Sequence, residues 1–454
     1  MKINEYAIKS NITSDDKFLG SSTSGTHNYT PIDLSKFSST QTALSAIPSA
    51  NNGYQTINAV GTEYAWNSRT SRYIPQRSVL PSGVKRVIVT GDSITEEASS
   101  GGWASYFSVL SNGEYIITYN DGIAGTTLAQ MAARFDSIPS WVLADIVMIQ
   151  GGTNVPGVTE ANKTALISLI DKAIARGAIP QVHSCPPLVN MTPIADWNFW
   201  MANYCANRGI EFIDKWSSLT NPATGGLLSA YSRDTTHPNA QGQLIGAQKL
   251  LDIMRAKSGT GTAWRFPLMF SNTTGTSGLL SNPLNLLDSN ADGNGDGWNA
   301  PNFQGSQTPI ACSAVTTRTS AVYPAIGTPQ RFQDSFNYTS QGSYVRHSKD
   351  IYGVSARANH RIQVVQYFKL NGITEAVANT IIVEFLFATN GSTNFNPFNK
   401  RFNAVGLSGI LVTEYVLPAS LTEMYVTWRA WNGNGSVDYE VCNLEIYDLT
   451  EMGL

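Results

Sequence analysis

Between residues 84 and 257 short apolar runs alternate five times with longer helical stretches, and past residue 261 that rhythm stops. The runs 84–90 (VKRVIVT), 115–119, 145–150 (DIVMIQ), 179–183 and 211–213 are short and largely apolar, as strands covered on both faces must be. The stretches 102–110, 127–135, 160–176, 195–207 and 240–257 carry helical spacing, and Gly177 suits a helix C-cap just before the fourth strand. Strands that alternate with helices are joined by right-handed crossovers. Residues 83–258 are therefore expected to form an α/β domain, a parallel sheet with helices on both sides.

After residue 262 the pattern is all-β. The segments 361–370 (RIQVVQYFKL), 380–388, 424–430 and 438–447 alternate or are rich in β-branched and aromatic residues, with Gly, Asn and Ser between them. Residues 262–454 are expected to form a jelly-roll-like β-sandwich, and 257–262 (KSGTGT) reads as a linker. Residues 1–82 are polar, with few strands or short helices such as one near 31–37, and are expected to form an arm.

Only 14% of the 454 residues are charged and the net charge is -3, so nothing electrostatic calls for nucleic acid or an anionic membrane as partner. Such a polar, weakly charged chain suits neutral partners such as sugars. Cys185, Cys205, Cys312 and Cys442 show no CxxC spacing and read as buried thiols. The first residues lack the apolar core of a signal peptide, and no apolar run is long enough to span a bilayer.

The first strand ends in Gly91-Asp92-Ser93-Ile94, and ligands of parallel sheets gather beyond the carboxyl ends of the strands. Ser93 alone could be a helix N-cap. Asp234-Thr-Thr-His237, ahead of the last helix, supplies what a nucleophilic serine needs: a base, and a carboxylate to fix its tautomer. Gly125 follows the second strand and Gly152-Thr153-Asn154 the third, where a backbone N–H and an amide could donate to one oxyanion.

These four blocks, in this order and each after its strand, resemble the SGNH (GDSL) serine hydrolases. The resemblance covers about 175 residues. It implies a flavodoxin-like three-layer α/β/α domain and ester hydrolysis through an acyl-enzyme. Ser93 would be nucleophile, His237 general base and acid, and Asp234 its orienting carboxylate. Ser93 and Gly125 N–H and the Asn154 side chain would form the oxyanion hole. The third block departs from the family, with Val155 where Asp is usual. Glycan-directed members commonly remove acetyl groups, and the chemistry requires no cofactor.

Residues 12–37 (ITSDDKFLGSSTSGTHNYTPIDLSKF) resemble the N-terminal segments of phage tail-fibre and tailspike proteins. That resemblance implies a virion setting, attachment to other phage tail proteins, and a homotrimer. Together the two resemblances point to a tail-associated esterase that removes acyl groups, O-acetyl first, from a bacterial surface polysaccharide. A bacterial carbohydrate or lipid esterase outside any virion, and a non-catalytic receptor-binding protein on a hydrolase fold, are the alternatives.

Other residues carry weaker signals. Asp92, His183 and Trp103 lie at or near strand ends and are candidate substrate contacts, against buried structural roles for His183 and Trp103. Trp197 and Trp200 read as core. Asp288, Asn290, Asp292, Asn294 and Asp296 stand at alternate positions like calcium ligands, but Asn299 replaces the bidentate Glu and a plain Asx/Gly turn explains them as well. Trp298, Trp428 and Trp431 could stack on sugar or fill the sandwich core.

Overall fold

A computed structural model describes residues 19–22, 25–28, 56–57, 63–67, 72–75, 84–96, 102–188, 192–258, 302–304, 312–319, 329–337, 344–351, 357–375, 381–389, 400–420, 424–431, 434–448 and 450. The chain divides into two compact units, Met1–Gln76 and Arg77–Leu454. In the first, β1 (Leu19–Ser22) and β2 (Gly25–Asn28) form an antiparallel hairpin. There β3 (Thr56–Ile57), β4 (Glu63–Asn67) and β5 (Arg72–Pro75) make a small antiparallel sheet. The stretch near 31–37 lies outside the described residues.

The second unit begins with five parallel strands: β6 (Lys85–Gly91), β7 (Tyr115–Gly122), β8 (Ile146–Gln150), β9 (Ile179–His183) and β10 (Glu211–Ile213). Their order is β10-β9-β8-β6-β7. All five residues of β8 are buried, as a central strand covered on both faces requires. The chain leaves β6 toward β7 on one side and returns to β8 on the other. The crevice beyond their carboxyl ends is therefore the switch point of the sheet.

Helices α1 (Trp103–Leu110) and α5 (Ala240–Ser258) share a core with one face of this sheet, formed by Val87, Val89, Met148, Trp103, Phe107, Leu250 and Met254. The remaining crossovers are α2 (Leu128–Phe135), α3 (Glu160–Ala175) and α4 (Thr192–Arg208). The start of α2 is fixed by a capping box in which Thr127 and Gln130 satisfy each other's backbone N–H. Thr159 caps α3, and Gly177, at φ 84°, takes the left-handed turn that releases the chain into β9. This is the α/β/α arrangement expected from the sequence.

An all-β region follows, with two five-stranded antiparallel sheets. Its strands are β11 (Asn302–Gln304), β12 (Cys312–Arg318), β13 (Gln330–Asn337), β14 (Tyr344–Ile351), β15 (Arg361–Glu375), β16 (Ile382–Thr389), β17 (Lys400–Phe402), β18 (Ser408–Val416), β19 (Met424–Trp431) and β20 (Asn434–Asp448). One sheet runs β11-β14-β19-β16-β17 and the other β12-β13-β20-β15-β18. Between them Phe368 of β15 stacks on Trp428 of β19 at 4.6 Å, and the Trp428 indole N–H donates to Gln366 Oε1 at 2.8 Å. Trp428 is thus fully buried core and not a sugar platform. Trp298 and the five calcium candidates Asp288, Asn290, Asp292, Asn294 and Asp296 lie outside the described residues, as does the Trp431 side chain.

The all-β region packs directly on the parallel-sheet region. Ile116 of β7 shares a buried cluster with Val365 of β15 and Ile410 and Val412 of β18. Tyr106 of α1 stacks on Phe402 and accepts from the Asn403 N–H at 3.2 Å. Asn112 Oδ1 accepts from the Ile410 N–H at 3.0 Å, and Arg86 pairs with the buried carboxylate of Glu414 at 3.2 Å. Gly409 lies so close to α1 that a Cβ there would overlap the Val109 carbonyl oxygen.

Candidate active site

Ser93 sits on the turn that leaves β6. Gly91, at the strand end, has no room for a side chain, because a Cβ would run into Thr95. The turn is closed by bonds from the Thr95 and Glu96 N–H groups to the Asp92 carbonyl, at 3.0 and 2.9 Å. The Asp92 carboxylate accepts from the Ile94 N–H at 3.0 Å. This leaves Ser93 half-buried at the mouth of the crevice.

His237 and Asp234 approach from the loop ahead of α5. Ser93 Oγ lies 2.9 Å from His237 Nε2, and His237 Nδ1 lies 3.0 and 2.9 Å from the two Asp234 carboxylate oxygens. Asp234 Oδ1 also accepts from the backbone N–H groups of Thr236 and His237, at 2.8 and 2.7 Å. Partial burial pushes the Asp234 carboxyl up. The two backbone N–H groups, then the His237 ring, outweigh it and hold the pKa at about 2. A carboxylate that stays ionised can only accept, so Nδ1 carries the proton. The Nε2 lone pair is then left for the Ser93 hydroxyl. The sequence motif DTTH thus closes on itself as a tight turn that orients its own histidine.

Three further donors belong to the nucleophile turn and the loops after β7 and β8. Gly125 is exposed with φ 72°, a conformation that a side chain disfavours, which accounts for glycine there. Neither its N–H nor that of Ser93 donates to any partner among the described residues. The exposed Asn154 amide gives one hydrogen to the Thr126 carbonyl at 3.0 Å and keeps the other free. Two ties hold the Gly125 loop to the nucleophile turn. Glu96 Oε2 accepts from the Ala124 N–H at 2.9 Å, and the Asn120 amide donates to the Thr95 carbonyl at 3.1 Å. The Asn154 loop is held from below: Trp197 Nε1 and Cys185 Sγ both donate to the Gly151 carbonyl, at 3.1 and 3.2 Å.

Chemically, this arrangement can take a proton from a hydroxyl and accept negative charge on an oxygen nearby. The structure brings Ser93, His237 and Asp234 into one hydrogen-bonded line, and it ties the loop that carries Gly125 to the Asn154 side chain through the Thr126 carbonyl. It does not bring the three candidate substrate contacts to the surface. Asp92, His183 and Trp103 are each 0% exposed, so none presents a polar atom to a ligand in the crevice. His183 instead bonds to Lys215 at 2.8 Å, and burial, then the Lys215 charge, pushes its pKa well down. Trp103 lies against Lys215 with 3.7 Å between Nζ and the ring centroid.

Sequence reasoning passed over Lys215, Gln150 and Glu96. A lysine two residues past a strand ordinarily reaches solvent, and nothing in Ile213-Asp-Lys-Trp216 signals that this one turns inward. Among the described residues no three acidic, histidine or cysteine side chains are grouped to hold a metal ion. Cys185, Cys205 and Cys442 are buried.

Residues 89–245 match the GDSL-like Lipase/Acylhydrolase family. Among solved structures the chain is similar to a GDSL-like lipase from Bacteroides thetaiotaomicron, at 21% identity over 39% of this chain and 92% of that one, with a TM-score of 0.33. It is also similar to a member of the lipolytic protein G-D-S-L family from Veillonella parvula, at 20% identity over 37% and 97%, TM-score 0.32. A variant of the acetyl-xylooligosaccharide esterase Axe2 from Geobacillus Stearmophilus matches at 16% identity over 38% and 96%, TM-score 0.33. Among curated proteins none matches the chain.

Proposed function

We propose that this chain, whose residues 89–245 match acylhydrolases, is a serine esterase that removes O-acetyl groups from a polysaccharide. One observation carries the reading: Ser93 Oγ, His237 and Asp234 lie in a hydrogen-bonded line, the arrangement that proton transfer from serine to imidazole needs. Ser93 Oγ attacks the acyl carbonyl carbon as its proton passes to His237 Nε2. The carbonyl oxygen gathers charge between the Ser93 and Gly125 N–H groups and the free hydrogen of Asn154. Collapse of that intermediate expels the sugar hydroxyl, which takes the proton from His237. Water then enters by the same route in reverse, returning acetate and Ser93.

Acetyl rests on the resemblance to glycan-directed SGNH hydrolases, which commonly remove acetyl groups, and a neutral sugar suits a weakly charged chain with 14% charged residues and a net charge of -3. The virion setting and the trimer rest on the pattern of residues 12–37 alone. The test is acetate release from purified surface polysaccharides by wild type and by Ser93→Ala. Release that the substitution abolishes supports the glycan reading. Hydrolysis of p-nitrophenyl acetate without any release from glycan would keep the esterase and discard the substrate.

A further inference from the structure

A single arginine ties the carboxyl ends of the two strands that lead to Ser93 and Gly125. Arg134 lies in the last turn of α2, where a basic side chain ordinarily runs out to solvent beside the helix end. Its side chain is instead only 15% exposed. Side chains on a helix lean back toward its N-terminus, and α2 starts just beyond the Gly125 loop. Arg134 thereby reaches the end of the sheet. Its Nη2 donates to the Gly91 carbonyl of β6 at 2.6 Å and to the Asp121 carbonyl of β7 at 2.7 Å. Its Nε stands 3.1 Å from the buried carboxylate of Asp121, which also accepts from the Thr90 hydroxyl at 2.9 Å.

These contacts fall where the two strands part. Gly91 pairs in register with Gly122 of β7 and with Gln150 of β8, whose side chain accepts from Lys215 at 2.7 Å. The Ile123 N–H then donates to the Gly91 carbonyl at 3.2 Å, the long end of the usual range. Two residues beyond Gly91 the chain reaches Ser93, and two beyond Ile123 it reaches Gly125. The N–H groups of Ser93 and Gly125 are the two backbone donors of the proposed mechanism. Gly122 leaves no slack beside them, since a Cβ there would run into the Glu96 nitrogen of the nucleophile turn. Two donors serve one oxyanion only when each comes within about 2.7–3.1 Å of it, and a misplacement of about 1 Å can cost about 100-fold.

We propose that Arg134 is a positioning residue: by clamping the Gly91 and Asp121 carbonyls with one nitrogen, it sets the spacing between the Ser93 and Gly125 N–H groups. Its part in catalysis rests on the esterase reading. Arg134 acts through the backbone, on how well the oxyanion is held, and Asp121 keeps the guanidinium in place for that task. Acylation and deacylation pass through oxyanions at the same position. Both steps therefore slow together when the spacing loosens, and KM holds.

The experiment measures p-nitrophenyl acetate hydrolysis by the full chain for wild type, Arg134→Met, Arg134→Lys and Asp121→Asn. Rates are expressed per active serine, counted with a fluorophosphonate, so that any unfolded fraction drops out. Arg134→Met should lose roughly 10- to 100-fold in kcat, with KM within about twofold of wild type. Arg134→Lys keeps a cationic donor and should recover part of that loss. Asp121→Asn, which removes the carboxylate beside Nε, should lose roughly fivefold in kcat with KM again nearly unchanged. A lowered unfolding midpoint with kcat per serine unaltered would make Arg134 a structural clamp only and overturn the proposal, as would a loss taken mainly in KM. Should Arg134→Met not fold, an unaltered kcat in Asp121→Asn overturns it by itself. A wild type that hydrolyses no ester would sink the esterase reading and this assignment with it. Turnover by wild type with an unaffected Arg134→Met sinks the assignment alone.

Discussion

At the scale of single residues, Asp234 illustrates how the site is tuned. Its carboxyl, held at about 2, is ionised wherever the protein is folded under ordinary conditions. A folded pKa below the unfolded value contributes stability that is present above about pH 4 and lost as pH falls toward 2. Asp234 should therefore add no inflection to the kcat profile above about pH 4, and a pH–rate curve checks this. Asp234→Asn leaves the ring free to take the wrong tautomer. It should lower kcat by about 100- to 10,000-fold with the fold intact by circular dichroism. Glu96 acts one step away, through the Ala124 N–H beside Gly125. Glu96→Ala should lower kcat roughly tenfold while KM stays near wild type, and Glu96→Gln, which keeps an acceptor, should recover most of the loss. An Ala variant with unaltered kcat would remove Glu96 from the account.

At the scale of elements, the contact between α1 and β18 leaves no space at Gly409. Gly409→Ala should cost about 1–3 kcal/mol, read as a lower denaturant midpoint, because the Val109 carbonyl must move and the Asn112–Ile410 bond with it. A neutral outcome would mean that the two regions separate without cost. The parallel strands were legible because sheets covered on both faces demand apolar runs. Glycines set the edges, and the expected bounds of β9 and β10 coincide with the observed ones. β7 runs on to Gly122, past the expected 119, pairing with β6 as far as Gly91, and a register shift between Val87 and Ile88 accommodates Thr118. The Thr118 hydroxyl is spent on the Val87 and Leu143 carbonyls. In the all-β region β13 and β14 escaped notice for a different reason. Their inward residues include Asp334 and His347, bonded at 2.9 Å and both buried, so polar side chains occupy positions where alternation looks for apolar ones. The Ser93–His237–Asp234 line was legible because its residues lie in two short motifs, one at the end of β6 and one on the loop ahead of α5. Lys215 and Glu96 were not, because their roles come from which neighbours the fold gives them.

At the scale of the molecule, residues 77–454 behave as one compact unit although their sequence changes character near residue 261. The all-β region covers Ile116 and Tyr106 of the parallel-sheet region, and Glu414 holds Arg86. A chain ending at residue 258 would expose that apolar face. It should unfold at a midpoint roughly 5 °C or more below the full chain in calorimetry, and an unchanged midpoint would show the contact to be incidental. The same packing sets the all-β region against α1, the helix that follows the nucleophile turn.

The central claim is that Ser93 is the nucleophile of an esterase, and the most direct test is p-nitrophenyl acetate hydrolysis by wild type and Ser93→Ala at equal concentration. The account predicts turnover by wild type and a loss of at least about 1,000-fold in kcat for the variant, whose circular dichroism and unfolding midpoint stay close to wild type. Turnover by Ser93→Ala within tenfold of wild type would contradict it, since no other hydroxyl lies in hydrogen-bonding contact with His237 Nε2 among the described residues.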